Sequence, residues 1–362
     1  MAKSRTAAKP ASKRSTIQDV ARAAHVHPST VSRVLNPRAR HLVSPDAAQR
    51  VEAAAARLAY RPDPVAAGLR TRRSGTIGVL LPDIANPVFP LILRGIESVL
   101  MNAGYTAIMA NTDNDAARAG AALDHLAARR IEGVILATAT RRDPLIAHCR
   151  DIGLPVVLVN RTLGPDNVNA VIVDDETGIA AAVHHVVALG HNRIGHIAGP
   201  EQLSTGRARR LGFLAALKSH GLPPNAPVVH AEAYEIAAGE RACERLLAAY
   251  PKLTAIVAAN DLLALGCYDA LAKRNLRCPR DISVTGFNDI TFADRFAPPL
   301  TTIRIPHRLM GEEAARLLLA EIEHPDAPRR EIKLVPELIA RGSTAAVRAK
   351  QKNQPRRRED PA

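Results

Sequence analysis

From residue 75 onward the chain alternates short apolar runs with amphipathic stretches, and this alternation constrains the fold more than any other feature of the sequence. Helices are predicted over 89–103, 116–129, 178–189 and 209–220. Nine apolar runs are predicted to be strands: TIGVLLP, TAIMAN, GVILAT, PVVLVN, NAVIVD, RIGHIAG, VVHAE, AIVAAN and ISVTGF. Buried strands that are linked by helices form parallel sheets with helices on both faces. This number of strands favours two doubly wound subdomains with a cleft between them.

Polar side chains follow the ends of these predicted strands. The residues at these positions are Asp83, Asn86, Asn111, Asp113, Asn160, Arg161, Asn260, Asp261, Asn288 and Asp289. Any one of them alone is more often a helix cap or a turn residue. However, ligands of such folds bind at the carboxyl ends of the strands. The recurrence of polar residues there is therefore the distribution expected of a pocket with a few convergent polar groups.

Basic residues are concentrated at the two ends of the chain. Residues 1–73 hold 15 Lys and Arg against 4 Asp and Glu, and residues 341–362 hold 7 against 2. The remaining residues hold 27 against 29 and are close to neutral. A nearly neutral body with a strongly basic end is expected of a nucleic-acid-binding module joined to a sensor. The charge distribution alone would also be explained by basic ends that only keep the protein soluble.

Three short helices are predicted within the N-terminal residues. The first runs over 17–24 after Thr16, which forms a variant of the capping box with Asp19. The second follows Pro28, and the third runs over 45–59. The second helix exposes small polar residues and one arginine, namely Ser29, Thr30, Ser32 and Arg33. This arrangement is typical of a helix-turn-helix, whose second helix enters the major groove of DNA. A small helical bundle with no role in DNA binding would show the same spacing.

The segments TIQDVARAAHVHPSTVSRVLN and VSPDAAQRVEAAAARLAYRPDPVAAGL closely resemble the headpiece signature of the LacI/GalR (lactose-repressor) family. The resemblance implies a DNA-binding headpiece with contacts at Thr16, Pro28, Ser29, Thr30, Ser32, Arg33, Asn36, Ala66 and Leu69. Two departures are present. His27 stands where the family usually has a Ser or Thr cap, and the loop NPRARHLVS is longer than the common form. Pro28 and Ser29 occupy base-reading positions of the family, so an unusual operator sequence is expected.

The segment RPDPVAAGLRTRRSG follows the headpiece. Its two prolines break the preceding helix, and the turn over 65–69 is too short to be stable by itself. By resemblance, residues 63–73 form a hinge helix that orders in the minor groove of DNA, where Leu69 is an apolar wedge at a base step. A flexible linker is the alternative that the residues leave open.

The remainder of the chain resembles the same family in the segments LLPDIANPVFPLILRGIE, VVLVNR, VDDETGIAAAVHHVVALGHNRIGHIAGP, GRARRLGF, AIVAANDLLALG, RDISVTGFNDI and PPLTTIR. The resemblance implies a periplasmic-binding-protein-like sensor. By position, its effector-binding residues would be Asp83, Asn86, Phe89, Asn160, Arg161, Thr205, Arg209, Asn260, Asp261 and Asn288, with His307 as a further candidate. Many sugar-sensing members carry Asp in place of Asn288. With Arg161 and Arg209 nearby, this departure suggests an anionic or mixed ligand.

Two other classes of protein share parts of this pattern. A dehydrogenase would need GxGxxG at the first strand-to-helix turn, where this chain has PDIANP. The run Asp174, Asp175 and Glu176 has no metal-spaced histidines, and the four cysteines form no CxxC pair. We therefore expect no catalytic residue, metal or cofactor. A transport-type binding protein would share the sensor, but the N-terminal residues show no secretory signal.

The sequence thus predicts a sequence-specific DNA-binding transcription regulator, a repressor, and no enzyme. Its fold class is an all-α helix-turn-helix headpiece followed by an α/β periplasmic-binding-protein-like sensor of two doubly wound subdomains. The predicted parts are a disordered basic tail at 1–14, the headpiece at 15–62, the hinge helix or linker at 63–73, the sensor at 74–342 and a second disordered basic tail at 343–362.

The expected partners are a palindromic double-stranded DNA operator and a small effector, namely a sugar, a sugar acid or another small polar metabolite. A homodimer is expected because the C-terminal RAKQKNQPRRREDPA has no apolar heptad that could join two dimers. No apolar run has the length of a membrane span, so a cytoplasmic, nucleoid-associated protein is expected. The residues leave open which effector binds and whether it releases or tightens DNA binding.

Overall fold

A computed structural model of the chain describes residues 15–35, 39–60, 74–141, 143–164, 168–223 and 225–347. By its internal contacts the chain divides into two compact units, Met1–Ser74 and Gly75–Ala362. The predicted DNA-contacting residues Asn36, Ala66 and Leu69 lie outside the described residues, as do the predicted tail at 1–14 and hinge at 63–73.

The described part of the first unit is a bundle of the helices α1 (Ile17–Ala24), α2 (Pro28–Val34) and α3 (Pro45–Arg57), with a 3-10 turn at Arg40–Leu42 before α3. Each helix contributes a fully buried valine to one apolar core: Val20, Val31 and Val51. The predicted capping box is confirmed. The backbone N–H of Thr16 donates to the Asp19 carboxylate at 2.9 Å, and the N–H of Asp19 donates to Thr16 Oγ1 at 3.3 Å.

The second unit, which we call the sensor, is built on two parallel sheets. The first sheet has the strand order β11-β5-β4-β3-β1-β2, and its strands are β1 (Thr76–Leu81), β2 (Thr106–Asn111), β3 (Gly133–Leu136), β4 (Val156–Val159), β5 (Asn169–Val173) and β11 (Glu331–Leu334). The second has the order β7-β6-β8-β9, with β6 (Ile194–Ala198), β7 (Val228–His230), β8 (Ala255–Ala258) and β9 (Ser283–Thr285). All nine predicted strands are present, because each apolar run supplies a strand that helices can cover.

Each sheet with its helices forms one subdomain. The helices α4 (Val88–Asn102), α5 (Ala116–Ala128), α6 (Pro144–Asp151) and α11 (His307–Glu323) accompany the first sheet, whereas α7 (Asp175–Ala188), α8 (Ser204–Ser219), α9 (Ile236–Ala249) and α10 (Asp261–Lys273) accompany the second. The helix predicted over 209–220 begins earlier, at Ser204, so that Thr205 and Arg209 lie on the same helix.

The chain passes between the subdomains after β5, before α11 and again after β11. The sequence did not predict β10 (Thr302–Arg304), β11 or β12 (Glu337–Ile339), and of these β10 and β12 pair antiparallel along these passages. In the first subdomain α11 packs closely on α4, and a Cβ at Gly311 would overlap the carbonyl group of Ile92. In the described part of the chain no helix is long and apolar enough to cross a membrane.

The folded sensor extends past the end that the sequence predicted at residue 342. Ser343 is fully buried, and its hydroxyl donates to the Val284 carbonyl at 2.6 Å and accepts from the N–H of Thr301 at 2.8 Å. Further on, the N–H of Val347 donates to the carbonyl of Leu189 at 3.0 Å. The predicted boundary is therefore too early, because small polar residues that bond to strand backbones give no apolar signal in the sequence.

Candidate functional site

A cavity of about 420 Å³ lies between the two subdomains, within the volume range of small-molecule sites. Both subdomains contribute to its wall at the carboxyl ends of their strands. The wall includes nine of the ten residues that were predicted to bind an effector: Asp83, Asn86, Phe89, Asn160, Arg161, Thr205, Arg209, Asn260 and Asn288. Asp261 and His307 are not part of the wall.

Several wall residues are held in place by bonds to neighbouring backbone. Asp83 accepts a hydrogen bond from the N–H of Ala85 at 2.8 Å, and Asn86 accepts one from the N–H of Val88 at 3.2 Å. Asn260 caps α10 by accepting from the N–H of Leu263 at 2.9 Å. Since the side-chain oxygen of Asn260 accepts the cap hydrogen bond, its side-chain NH₂ group remains as a donor for a ligand.

Arg209 is fixed in the wall by an ion pair that the sequence interpretation missed. Its Nε donates to Asp175 Oδ1 at 2.8 Å, its Nη1 donates to the Ala259 carbonyl at 2.7 Å, and its guanidinium lies 3.8 Å from the centre of the Phe287 ring. Both members of the pair are buried. Burial raises the pKa of Asp175, and the neighbouring Arg209 charge opposes that rise. The adjacent Asp174 instead caps α7, accepting from the N–H of Thr177 at 3.2 Å.

Two hydrogen bonds join the subdomains beside the cavity. The N–H of Thr162, after β4, donates to the Ser204 hydroxyl at 3.1 Å. The N–H of Arg141, after β3, donates to the carbonyl of Gln202 at 3.1 Å. The two subdomains are therefore connected directly next to the wall, in addition to the passages of the chain.

Asp261 has a structural position, contrary to its predicted role as an effector ligand. Its side chain is fully buried, accepting from the Thr302 hydroxyl at 2.5 Å and from the N–H of Ile290 at 2.8 Å. The carboxylate therefore connects the start of α10 to β10 and to the loop after β9. Its side chain points back into the subdomain because it is the first helical residue, one position past the cap.

We expect the charge of Asp261 to make the sensor less stable as pH rises. Burial raises the pKa of Asp261 to about 7, so folding favours the protonated form. Its contribution to stability is fully present below the unfolded-state pKa of about 4 and is lost as pH rises through the folded-state pKa. Between pH 5 and pH 8 the wild type should lose about 2–3 kcal/mol of unfolding free energy more than Asp261→Asn does. Urea unfolding at both pH values measures this, and parallel pH profiles would contradict it.

His307, the further candidate, is buried at the start of α11 and lies outside the cavity wall. Burial lowers its pKa to about 4, so the ring is neutral at physiological pH. Its Nε2 has no hydrogen-bond partner among the described residues. The structure therefore does not bring His307 together with the other predicted residues.

The second predicted site is the exposed face of α2. Val31 and Val34 point into the headpiece core, so the remaining positions, among them Arg33, face outward or sideways. His27 caps this helix: its Nδ1 accepts from the N–H of Ser29 at 3.2 Å and lies 2.8 Å from the Ser29 hydroxyl. His27 stands where a Ser or Thr cap is usual in the family that the sequence resembles, so an imidazole nitrogen takes the place of the hydroxyl cap.

We expect His27→Ala to destabilise α2, because the first turn would lose its side-chain acceptor. The loss of an N-cap costs about 1 kcal/mol, which corresponds to a roughly fivefold loss of amide protection. Hydrogen exchange of the α2 amides in the full-length chain measures the effect. The matched control is His27→Ser, which offers an oxygen acceptor and should keep wild-type protection. Equal exchange in all three proteins would show that the cap contributes nothing.

Comparisons with known proteins agree with this organisation. Residues 16–63 match the family model of bacterial regulatory proteins, lacI family, and residues 183–344 match the model of the periplasmic binding protein-like domain. The chain is 32% identical over 331 residues to the HTH-type transcriptional repressor PurR of Aliivibrio salmonicida, covering 91% of this chain and 98% of that protein.

Two solved structures are similar over most of their length. One is the lac repressor dimer bound to operator and the anti-inducer ONPF, with a TM-score of 0.82 and 30% identity over 92% of this chain and 100% of that one. The other is a LacI family transcriptional regulator from Enterococcus faecium with bound ribose, with a TM-score of 0.67 and 31% identity over 75% of this chain and 100% of that one.

Proposed function

Because the chain belongs to the LacI family of transcription regulators, we propose that it represses transcription by binding a palindromic operator as a homodimer, under the control of a small effector. The observation that carries this proposal is the combination of two sites in one chain. A helix-turn-helix presents hydroxyls and an arginine, and a separate cavity is walled by polar residues of two subdomains.

The DNA-contacting role is assigned to the exposed face of α2 and the residues around it. Arg33 can bind base edges or phosphates, and the hydroxyls of Ser29, Thr30 and Ser32 can bind either. The place of Ser29 and Thr30 in the first turn of α2, next to its cap, supports this assignment, because the N-terminal residues of a recognition helix enter the groove. We extend the proposal to Thr16, Pro28, Asn36 and, in the hinge, Ala66 and Leu69 on the strength of the family resemblance.

The cavity is assigned to the effector. The nine predicted residues in its wall come from both subdomains, so a ligand placed between them would contact both. The ribose bound to the similar regulator of Enterococcus faecium supports a sugar, a sugar acid or a comparable polar metabolite as the class of effector.

A gel-shift experiment tests the proposal. The full-length chain should shift the DNA upstream of its own coding sequence, whereas a chain without residues 1–73 should not. Random DNA of the same length and composition is the control for sequence specificity. Equal shifts by both chains, or equal affinity for the random duplex, would contradict the proposal.

The proposed homodimer accounts for apolar side chains on the surface of the sensor. In the edge strand β2, Met109 is 53% exposed, and Phe292, in a left-handed backbone conformation, is 69% exposed. Large exposed apolar side chains are expected where a second subunit packs. We expect light scattering at micromolar concentration to give a mass near twice 38.8 kDa. Deletion of residues 348–362 should leave the protein a dimer, and a tetrameric mass would contradict the prediction.

A further inference from the structure

The cavity wall contains a buried guanidinium that no carboxylate neutralises. Arg161 is 5% exposed; its Nη1 donates to the Thr138 carbonyl at 3.0 Å, and its Nη2 makes only a long contact of 3.5 Å with Asn114 Oδ1. Among the described residues, Arg161 Nε and the Thr138 hydroxyl both lack a hydrogen-bond partner, and both residues line the cavity. Burial lowers the pKa of Arg161 to about 10, so the group is still charged at neutral pH.

The other arginine of the wall is in a different electrostatic state. The charge of Arg209 is compensated by Asp175 at 2.8 Å. Arg161 takes part in no ion pair within the ranges that the structure describes. A buried charge without a counter-charge is costly, and it attracts an anion that can enter its site.

No carboxylate of the wall forms an ion pair with Arg161 among the described residues, and Asp143 acts on it only through its charge, which opposes the fall in the pKa of Arg161. Asp143 accepts from the N–H groups of Thr140 and Leu145, at 2.9 and 3.0 Å. Glu232 pairs at the surface with Arg241 at 2.8 Å. In a similar way, Asp113 pairs with Arg118, and Asp115 caps α5. These carboxylates can still accept hydrogen bonds from ligand hydroxyls.

We propose that the effector of this cleft is a hydroxylated organic anion whose acidic group binds Arg161 and Thr138. This inference rests on the proposed function, since it assigns a ligand class to the same cleft. The acidic oxygens compensate the guanidinium charge and accept from the Thr138 hydroxyl, while the ligand hydroxyls donate to wall carboxylates and amide oxygens. A neutral sugar of the same shape leaves the buried charge uncompensated. A carboxylate and a phosphate share the required chemistry.

Thermal unfolding of the full-length chain with matched pairs of compounds tests the proposal. The pairs are gluconate and glucitol, galacturonate and galactose, and ribose 5-phosphate and ribose, each at millimolar concentration. We expect at least one anion to raise the unfolding midpoint by about 3 °C or more, and its neutral partner to have less than a third of that effect. The uronate and gluconate arms report on a carboxylate, and the phosphate arm reports on a phosphate.

A charge-removing variant connects the effect to Arg161. By calorimetry, Arg161→Gln should bind the stabilising anion at least 30-fold more weakly than the wild type, and its own midpoint without ligand should not fall, because an uncompensated buried charge has been removed. The matched control is Arg316→Gln, which removes an exposed arginine of α11 that lies outside the cavity wall and should bind the anion like the wild type.

Three results would overturn the inference: equal stabilisation by a neutral partner, undiminished anion binding by Arg161→Gln, or no stabilisation by any of the six compounds. Failure of the proposed function has a different signature. The full-length chain would then fail to shift its upstream DNA in the gel-shift experiment, whatever the compounds do.

Discussion

Raising the salt concentration from 50 to 200 mM is expected to weaken operator binding about 10⁴-fold. Each phosphate that a basic side chain neutralises releases counterions, and log affinity falls with log salt by about 0.9 per contact. With about 4 contacts for each of two headpieces, the slope is roughly −7. The described headpiece offers Arg22, Arg33, Arg40 and Arg50 for such contacts. Fluorescence anisotropy with a labelled operator duplex measures the slope.

Two variants test whether the contacts come from α2. Arg33→Ala, on the exposed face of α2, should weaken specific binding more than any other single headpiece arginine, by about 1–3 kcal/mol per headpiece if it contacts a base. Arg57→Ala, in the last turn of α3, is the matched control and removes the same charge without touching α2. A slope close to zero, or the same loss in both variants, would show that the DNA-contacting surface has been assigned to the wrong helix.

Replacing Arg209 by Ala is expected to lower the unfolding free energy of the sensor by about 3–5 kcal/mol and to abolish the effector response. Asp175 would remain as a buried carboxylate without its partner, and the Ala259 carbonyl would lose a charged donor. The sequence alone suggests a purely ligand-binding role for Arg209, for which a stable but unresponsive variant is expected. The ion pair adds the loss of stability, which urea unfolding measures.

A double variant separates the two effects. Arg209→Met with Asp175→Asn removes both charges together, so most of the lost stability should return while the response to effector stays absent. The control is Arg210→Ala, the neighbouring residue on α8, which pairs with Glu201 nearer the surface and should cost less than about 1 kcal/mol. A normal response in the double variant would exclude Arg209 from the effector site.

The strands and the wall residues that follow them were predicted well because both depend on local patterns, whereas Thr205 and Arg209, on a helix, were predicted only from the family resemblance. Runs such as GVILAT and AIVAAN are apolar without interruption, and the residues after such runs must lie at the carboxyl edge of a sheet. The strands β10, β11 and β12 were missed because charged residues such as Arg304, Glu331 and Glu337 interrupt their short apolar runs. The position of a residue directly after a strand can therefore be predicted from the sequence. Interior strands of the sheets are predicted more reliably than the short strands that connect the subdomains.

What the sequence could not predict is the direction and partner of individual side chains. Asp261 and Asn260 are adjacent at the end of the same strand, yet one is buried against Thr302 and the other faces the cavity. Asp175 pairs with a residue on the following helix, at a distance along the chain that no local pattern records. These outcomes depend on how helices pack across a subdomain, which becomes visible only in three dimensions.

The two hydrogen bonds beside the cavity, from Thr162 to Ser204 and from Arg141 to Gln202, have a kinetic consequence. A ligand that enters on the side where these bonds lie has to open both of them, and it has to open them again to leave by the same route. Entry is then slower than free diffusion, and the bound ligand is retained for a correspondingly long time at a given affinity. The speed at which such a regulator follows a change in metabolite concentration is therefore set by the opening of these bonds, and Ser204→Ala should shorten the residence time of the ligand.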